Sequence, residues 1–538
     1  MTGTAYVFDG DSSSSPRQSP KNQITGSVHN TSIEQWKRWE QSLTSSEVSK
    51  AYKTVEVTVT YTNGRTTFTA PAFWDGEQTW KMRCAFPSAG KWTWKTSCTN
   101  SKDKGLHNQS GNVHVSTYTE SNPLYQHGYL RVSKNNRYLE YVDGTPFNWH
   151  GNTYWNLPWE LNYMDWQTAI NSAVEDGYNI IQIHATRTKV IRELTNRNGH
   201  TPFDKTGAPH HEYWEEIDKR IQYANSKGII IMIAGLGKAQ EDYFTANTCN
   251  PHFARYIVGR LYGNHVILSP SMDIPYDEIN SEQGKRFDAL TNRHLITQHV
   301  NTSQTAALTY KGEPYLDFCM AQSGHHRANL DNAYGAARTW IMDLYESTPI
   351  KPVINVEAMY GDEDDSRHVF RRQDARKLGY ITRLSGSAGY TVGLGTKYGD
   401  RNGGLWMTSR NPDTYDYWKK CLEWPLNDDM IMLKALFDDV EWWNLIPRHE
   451  RIINQDTVNQ KKMTLQISTK GNLGLAYLPN NHNISIDMSD FSGDVRFKWF
   501  NPITGTYQQG GSCTKSRSQN FRTPAEGEWV LMLEAEAG

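Results

Sequence analysis

The chain is short of cysteine, of charge of one sign and of long apolar runs, and each shortage removes a class of function. Its six cysteines in 538 residues (Cys84, Cys98, Cys249, Cys319, Cys421, Cys513) include no CxxC pair and no companion histidine at ligand spacing, which argues against a zinc site. Cys84 and Cys98 share one N-terminal stretch and either pair or lie apart as buried thiols. The 56 basic and 58 acidic side chains leave a net charge of −2 and a pI near 6.8. There is no basic block, so the electrostatic footprint of a nucleic-acid-binding protein is missing. No apolar run approaches the roughly 18 residues of a membrane span. Residues 1–26 are polar and Ser-rich, without the apolar core of a signal peptide.

Aromatic residues, by contrast, are plentiful: they make up 12 % of the chain, with 19 Trp and 29 Tyr, against a mean hydropathy of −0.71. Flat, half-polar rings suit sugar faces, although most of them must be core.

The length implies about three or four units as a prior. Residues 1–28, with Ser-Ser-Ser-Ser-Pro, bury nothing and read as a disordered leader. Residues 29–119 read as an antiparallel β-sandwich: Val55–Tyr61 alternates with period two, and Trp80–Phe86, a Pro87–Gly90 turn and Lys91–Thr96 read as a hairpin. Across 120–449 short β-branched runs alternate with amphipathic helices, the pattern of a (β/α)8 TIM barrel. The eight strands expected are Thr145–His150, Asn179–His184, Ile229–Ala234, His265–Leu268, Thr305–Thr309, Leu316–Gln322, Pro352–Glu357 and Ser387–Val392, with one helix running Glu278–Val300. Residues 450–538 return to period two and read as a second sandwich. The fold class expected is therefore multidomain, a central TIM barrel flanked by two antiparallel β-sandwiches.

Two carboxylates stand at strand ends. Glu357 closes Pro-Val-Ile-Asn-Val-Glu, and Asp273 follows His265–Leu268 through Ser-Pro-Ser-Met. Barrel enzymes keep their chemistry at the carboxyl ends of the strands, and the fourth and seventh strands face each other across the mouth. Glycosidic bond cleavage needs such a pair, one group protonating the leaving oxygen and the other attacking the anomeric carbon or activating water. Taken singly, Asp273 could be a helix N-cap, a role that Asp277 fills better, and Glu357 could be a rim ion pair. Other strand-end residues able to line a sugar pocket are His150, Asn152, Trp155, His184, Arg187, Gln322, His325, Tyr360 and Trp406. His325-His326 has no carboxylate at helical ligand spacing, so no metal and no cofactor is expected.

Leu130–Trp155, with Asp-Gly-Thr-Pro-Phe-Asn-Trp-His-Gly-Asn-Thr-Tyr-Trp, resembles the opening of the apiosidase-like glycoside hydrolase domain, and the match continues through Met320–His325, Pro352–Glu357 and Gly386–Gly393. Ile33–Glu40, Phe73–Gly76 and Pro87–Trp94 resemble the sandwich that often precedes that barrel. Tyr477–Asn481, Trp499–Tyr507 and Gly527–Leu531 resemble a C-terminal domain described as collagen-binding. The resemblance implies an exo-acting, retaining hydrolase of plant or microbial polysaccharide, secreted or periplasmic, with Asp273 as acid/base and Glu357 as nucleophile. Asn152 stands where the family usually has Asp, so apiose specificity is not carried over, and Ser269–Asp273 replaces the usual Gly-Gly-Asp approach to the acid. The expected partner is a carbohydrate. Two further readings are a non-catalytic carbohydrate- or matrix-binding protein, which loss of either carboxylate would favour, and a polysaccharide lyase using Arg187 and His184.

Overall fold

The computed structural model describes residues 29–47, 51–184, 186, 195–239, 243–323, 330–361, 371–396, 403–408, 415–515 and 517–535. The expected leader lies outside them. At the centre seven strands run parallel: β1 (Trp149–Thr153), β2 (Ile180–His184), β3 (Ile230–Ala234), β4 (Val266–Leu268), β5 (Cys319–Ala321), β6 (Val353–Asn355) and β7 (Gly389–Thr396). Their order is β4-β3-β2-β1-β7-β6-β5. Every residue of β2 and β3 is buried. This is why they read as unbroken Ile-rich runs and not as alternating ones, since a parallel strand is covered on both faces. The covering layer comes from α1 (Tyr163–Glu175), α2 (His211–Ser226), α3 (Pro251–Leu261), α4 (Glu278–Leu290), α5 (Gln304–Lys311), α6 (Leu330–Glu346), α7 (Arg372–Leu384) and α8 (Pro425–Asp438).

The structure corrects two of the sequence expectations here. Thr305–Thr309, read as the fifth strand, lies inside α5. Ser303 caps that helix by accepting from the Ala306 N–H, and Ala306, Ala307 and Tyr310 supply a buried face at helical spacing. The helix expected over Glu278–Val300 stops at Leu290. Beyond it, residues 295–300 are extended and bonded on both sides. Leu268 N donates to Leu295 O at 3.0 Å and Thr297 N to Leu268 O at 3.0 Å, while Asp317 N donates to Ile296 O at 2.9 Å. This segment thus bridges the two ends of the sheet, β4 and the approach to β5.

The N-terminal region holds two sheets. One carries His29–Glu34, Ser110–Ser116, Gly90–Cys98, Val57–Thr62 and Thr67–Pro71 in that order, the first pair being parallel, and the other carries Trp39–Thr44, Thr79–Cys84 and Phe73–Trp74. The hairpin expected across 87–90 is instead a crossing between the sheets. Trp80, Met82 and Cys84 from one face Trp92 and Trp94 from the other in a common core. That core is continuous with the core of the central parallel sheet, and buried charges join the two: Arg83 and Arg260 both reach Asp218 at 2.8 Å, and Arg260 reaches Asp75 at 2.7 Å. Burial works against the Asp218 carboxylate, but the two guanidinium groups overcome it and hold its pKa at about 2.

At the other end a six-stranded sheet (Leu445–Pro447, Thr464–Ser468, Leu473–Leu478, Trp529–Ala535, Val495–Phe500, Tyr507–Cys513) packs over the pair Asn483–Asp487 and Ser518–Arg522 around a separate core that includes Trp499, Phe521 and Trp529. Arg376 on α7 grips Glu528 at 2.6 and 3.1 Å, and Tyr477 Oη donates to the same carboxylate at 2.9 Å. All six cysteines are free thiols, so Cys84 and Cys98 are not bonded. Among the described residues no helix is long and apolar enough to cross a membrane.

Candidate active site

Glu357 lies two residues beyond the end of β6, and its neighbour Val356 is clamped from both sides. Val356 N donates to Ala321 O at 3.0 Å, and Gln182 Nε2 donates to Val356 O at 2.7 Å. The carboxylate that follows is buried, with 5 % of the residue exposed. Tyr360 Oη donates to its Oε1 at 2.7 Å, and Trp155 Nε1 donates to Tyr360 Oη at 2.8 Å. Burial, and then the Glu357 charge, push the Tyr360 phenol well above its ordinary pKa, so it stays a neutral donor. Its ring fits because residue 393 is glycine: a Cβ there would come within 2.2 Å of the Tyr360 ring. Trp406 covers the same ring, centroid to centroid 5.7 Å.

The other oxygen, Oε2, lies 3.3 Å from His299 Nε2. That imidazole is fully buried and stands edge-on to Trp155 at 5.1 Å. His299 O accepts from Asp273 N at 3.1 Å. Asp273 itself is half-buried and has φ +53°, a left-handed conformation uncommon for a residue with a Cβ. Parallel bridges of Met272 to Ala239 and of Ile274 to Val300 hold it there. Strain of this kind persists only where the surroundings fix it, and it gathers at functional sites.

Sequence-predicted residues divide by what surrounds them. Trp155, Tyr360, Trp406 and Glu357 form one contact cluster, which the Asp273 loop joins through His299. His184 ends β2; its Nε2 would come within 2.3 Å of a Cβ at residue 235, so Gly235 with φ +76° makes room for it. Burial, helped by nearby His299, holds the His184 pKa down at about 3. Gln322 is buried just beyond β5, its Oε1 lacking a hydrogen-bond partner among the described residues; Asn152 is buried in β1 on the same face as His150, its Oδ1 accepting from Thr153 N at 2.8 Å. His150 is not brought to this cluster. Trp149 crosses the inner face of the central sheet to Phe318 at 5.7 Å, so the next residue of β1 faces the helices. There its ring stacks on Tyr178 at 5.0 Å and 9°. Arg187 and His325 lie outside the described residues. Asp277 caps α4 by accepting from Ile279 N at 2.9 Å, as expected. Among the described residues no group of three His, Cys, Asp or Glu side chains could hold a metal ion. His299 was hidden in the sequence because its segment read as the tail of a helix.

A family model described as "Apiosidase-like, catalytic domain" matches residues 133–444. The chain belongs to this family. It is accordingly a glycoside hydrolase. Two shorter models match the flanks of this apiosidase-like chain, a domain of unknown function over 32–99 and a "putative collagen-binding domain of a collagenase" over 446–534. No curated protein matches it. Solved structures similar in fold include one titled "Glycoside hydrolase", 22 % identical with a TM-score of 0.66 over 78 % of this chain and 99 % of that one. A glycoside hydrolase family 5 structure from Bacteroides vulgatus gives 22 % and 0.67, over 78 % and 96 % of the two chains. A "putative glycoside hydrolase" from the same organism gives 15 % and 0.72, over 94 % and 100 %.

Proposed function

We propose that this apiosidase-like chain is an exo-acting, retaining glycosidase of a plant or microbial polysaccharide or oligosaccharide, with Glu357 as nucleophile and Asp273 as acid/base. The observation that carries the reading is the setting of Glu357: a buried carboxylate with Oε1 held by a neutral phenol, Oε2 beside an imidazole, and the Asp273 loop bonded to the same imidazole residue. A nucleophile held this way is preorganised and largely stripped of water, which strengthens every electrostatic contact in the site. Glu357 attacks the anomeric carbon while Asp273 protonates the departing oxygen. In the second half Asp273 takes a proton from water as that water breaks the glycosyl ester. Exo action follows the family resemblance.

Buried polar atoms around the pair suit hydroxyl groups, which donate and accept at once. Gln322 Oε1 supplies an acceptor, and His184 Nε2 and Ser271 Oγ either, all without a partner among the described residues. Arg187 and His325 complete the proposed binding set with Trp155, Tyr360 and Trp406, and His150 and Asn152, which share one face of β1, are assigned to support behind it. The barrel is read as closed, with 295–300 as its eighth strand, placed between β4 and β5, and as a catalytic unit over 120–449 between sandwiches at 29–119 and 450–538.

The test is a panel of plant and microbial polysaccharides and 4-nitrophenyl glycosides assayed for released sugar with the wild type, Glu357→Ala and Asp273→Ala. Each variant is expected to lose at least roughly a hundredfold in rate while staying folded. Near wild-type activity in either folded variant defeats the site assignment, and an unsaturated uronate product identifies a lyase instead.

A further inference from the structure

We propose that His299 is a positioning residue for Glu357 and that it couples the place of that carboxylate to the loop carrying Asp273. The inference rests on the reading of Glu357 as the nucleophile.

A carboxylate nucleophile needs one oxygen anchored and the other presented to the anomeric carbon. Tyr360 anchors Oε1. His299 Nε2 sits 3.3 Å from Oε2, inside ion-pair range but out of hydrogen-bond alignment. A contact of this kind supports the anion and sets its direction. The imidazole has little room to turn. It is fully buried and stands edge-on to Trp155; Trp155 binds the Tyr360 hydroxyl and Tyr360 binds Glu357, so the four side chains close a ring.

The main chain of His299 makes the second half of the connection. Its N–H donates to Ser269 Oγ at 2.9 Å, Ser269 Oγ donates to Ser271 O at 2.8 Å, and its carbonyl accepts from Asp273 N at 3.1 Å. One residue therefore holds the approach to the acid/base by its backbone and the nucleophile by its ring. The titratable groups facing the ring are Glu357 from the β6 end and His184 from the β2 end, with Tyr360 reached through Trp155 and Asp273 through the loop. His184 stays neutral through the working range, burial holding its pKa at about 3, so it does not compete for Glu357 as a charge.

The test uses the full chain and the 4-nitrophenyl glycoside that the wild type cleaves fastest. His299→Leu removes the donor and His299→Gln replaces it near the position of Nε2. Losing a donor beside a carboxylate raises that carboxylate's pKa, so its ionised form disappears at a higher pH. For His299→Leu, kcat is expected to fall about 10- to 100-fold, with KM changing less than about threefold and the acidic limb of kcat/KM moving up by about one pH unit. His299→Gln returns both kcat and the limb most of the way. If His299→Leu does not fold, His299→Asn, whose donor stops short of Oε2, takes its place and is expected to be slow with a shifted limb, unlike His299→Gln. An unmoved limb, a loss confined to KM, or equal Asn and Gln variants overturns the inference. Glu357→Ala on the same substrate separates the two claims. Activity there defeats the nucleophile assignment itself, whereas an inactive Glu357→Ala beside an unaltered His299 series defeats only the role of His299.

Discussion

Tyr360 Oη donates to Glu357 Oε1 at 2.7 Å across three residues of chain, and Gly393 leaves the space that lets the Tyr360 ring reach it. The phenol stays protonated because burial and the adjacent carboxylate both raise its pKa.

Tyr360→Phe removes one hydrogen bond to a charged acceptor, worth about 1.5–3 kcal/mol, so kcat is expected to drop roughly 10- to 100-fold. The acidic limb of kcat/KM moves to higher pH as the carboxylate loses support. Any alkaline limb below about pH 10 stays where it was, since the phenol does not ionise there. Steady-state kinetics across pH checks this, and a Phe variant within twofold of wild type contradicts it.

The fold carries an acid liability in its buried histidines. Burial, the leading cause in each, holds His150, His184, His294 and His449 at about 3 and His265 at about 4. The unfolded chain protonates these rings near pH 6.5 and the native chain does not. Their stabilisation is therefore complete above about pH 6.5 and is lost as pH falls toward 3 to 4, by on the order of 1.4 kcal/mol per pH unit for each ring. Thermal unfolding should show a Tm that is level down to about pH 6.5 and falls from there to about pH 4.5, and His150→Phe should flatten that fall. An equal slope in the variant refutes the assignment for His150.

The C-terminal sheets contact α7 through Arg376, Glu528 and Tyr477, and Tyr380 of α7 stacks on Tyr477 at 5.1 Å. Deleting 450–538 uncovers those faces and leaves the Arg376 guanidinium without Glu528, so lower solubility and a lower Tm are expected. A shortened chain that is soluble and equally heat-resistant shows the tail to be a detachable module.

Much of this arrangement was readable from the residues. Buried parallel strands announce themselves as Ile-rich runs at 180–184 and 230–234, and Glu357 stands out as a carboxylate after such a run. Asp277 could be named as a cap because its side chain acts within two residues of chain. The fifth strand place could not be read. Thr305, Leu308 and Thr309 look β-branched and apolar, yet their segment folds as a helix because Ser303 caps it and α5 has a buried stripe to cover. Residues 295–300 continue a helical pattern with no proline or glycine to interrupt it, and what draws them straight is hydrogen bonding to residues distant in sequence, 268, 269 and 273 on one side and 317 and 318 on the other. His299 was lost with that segment, since its meaning comes from Glu357, 58 positions along the chain and 3.3 Å away. His150 shows the converse error: parity along β1, set by Trp149 reaching Phe318, turns it away from the site.

In the proposed reaction Glu357 attacks the sugar and carries it covalently. Incubating the wild type with an activated 2-deoxy-2-fluoro glycoside of the sugar it cleaves, followed by peptide mass spectrometry, tests this directly. The account predicts one fluoroglycosyl group per chain, on the peptide containing Glu357 and on that side chain, with turnover lost in step with labelling. A label on any other residue, or no covalent adduct from an enzyme whose first product has inverted anomeric configuration, contradicts it.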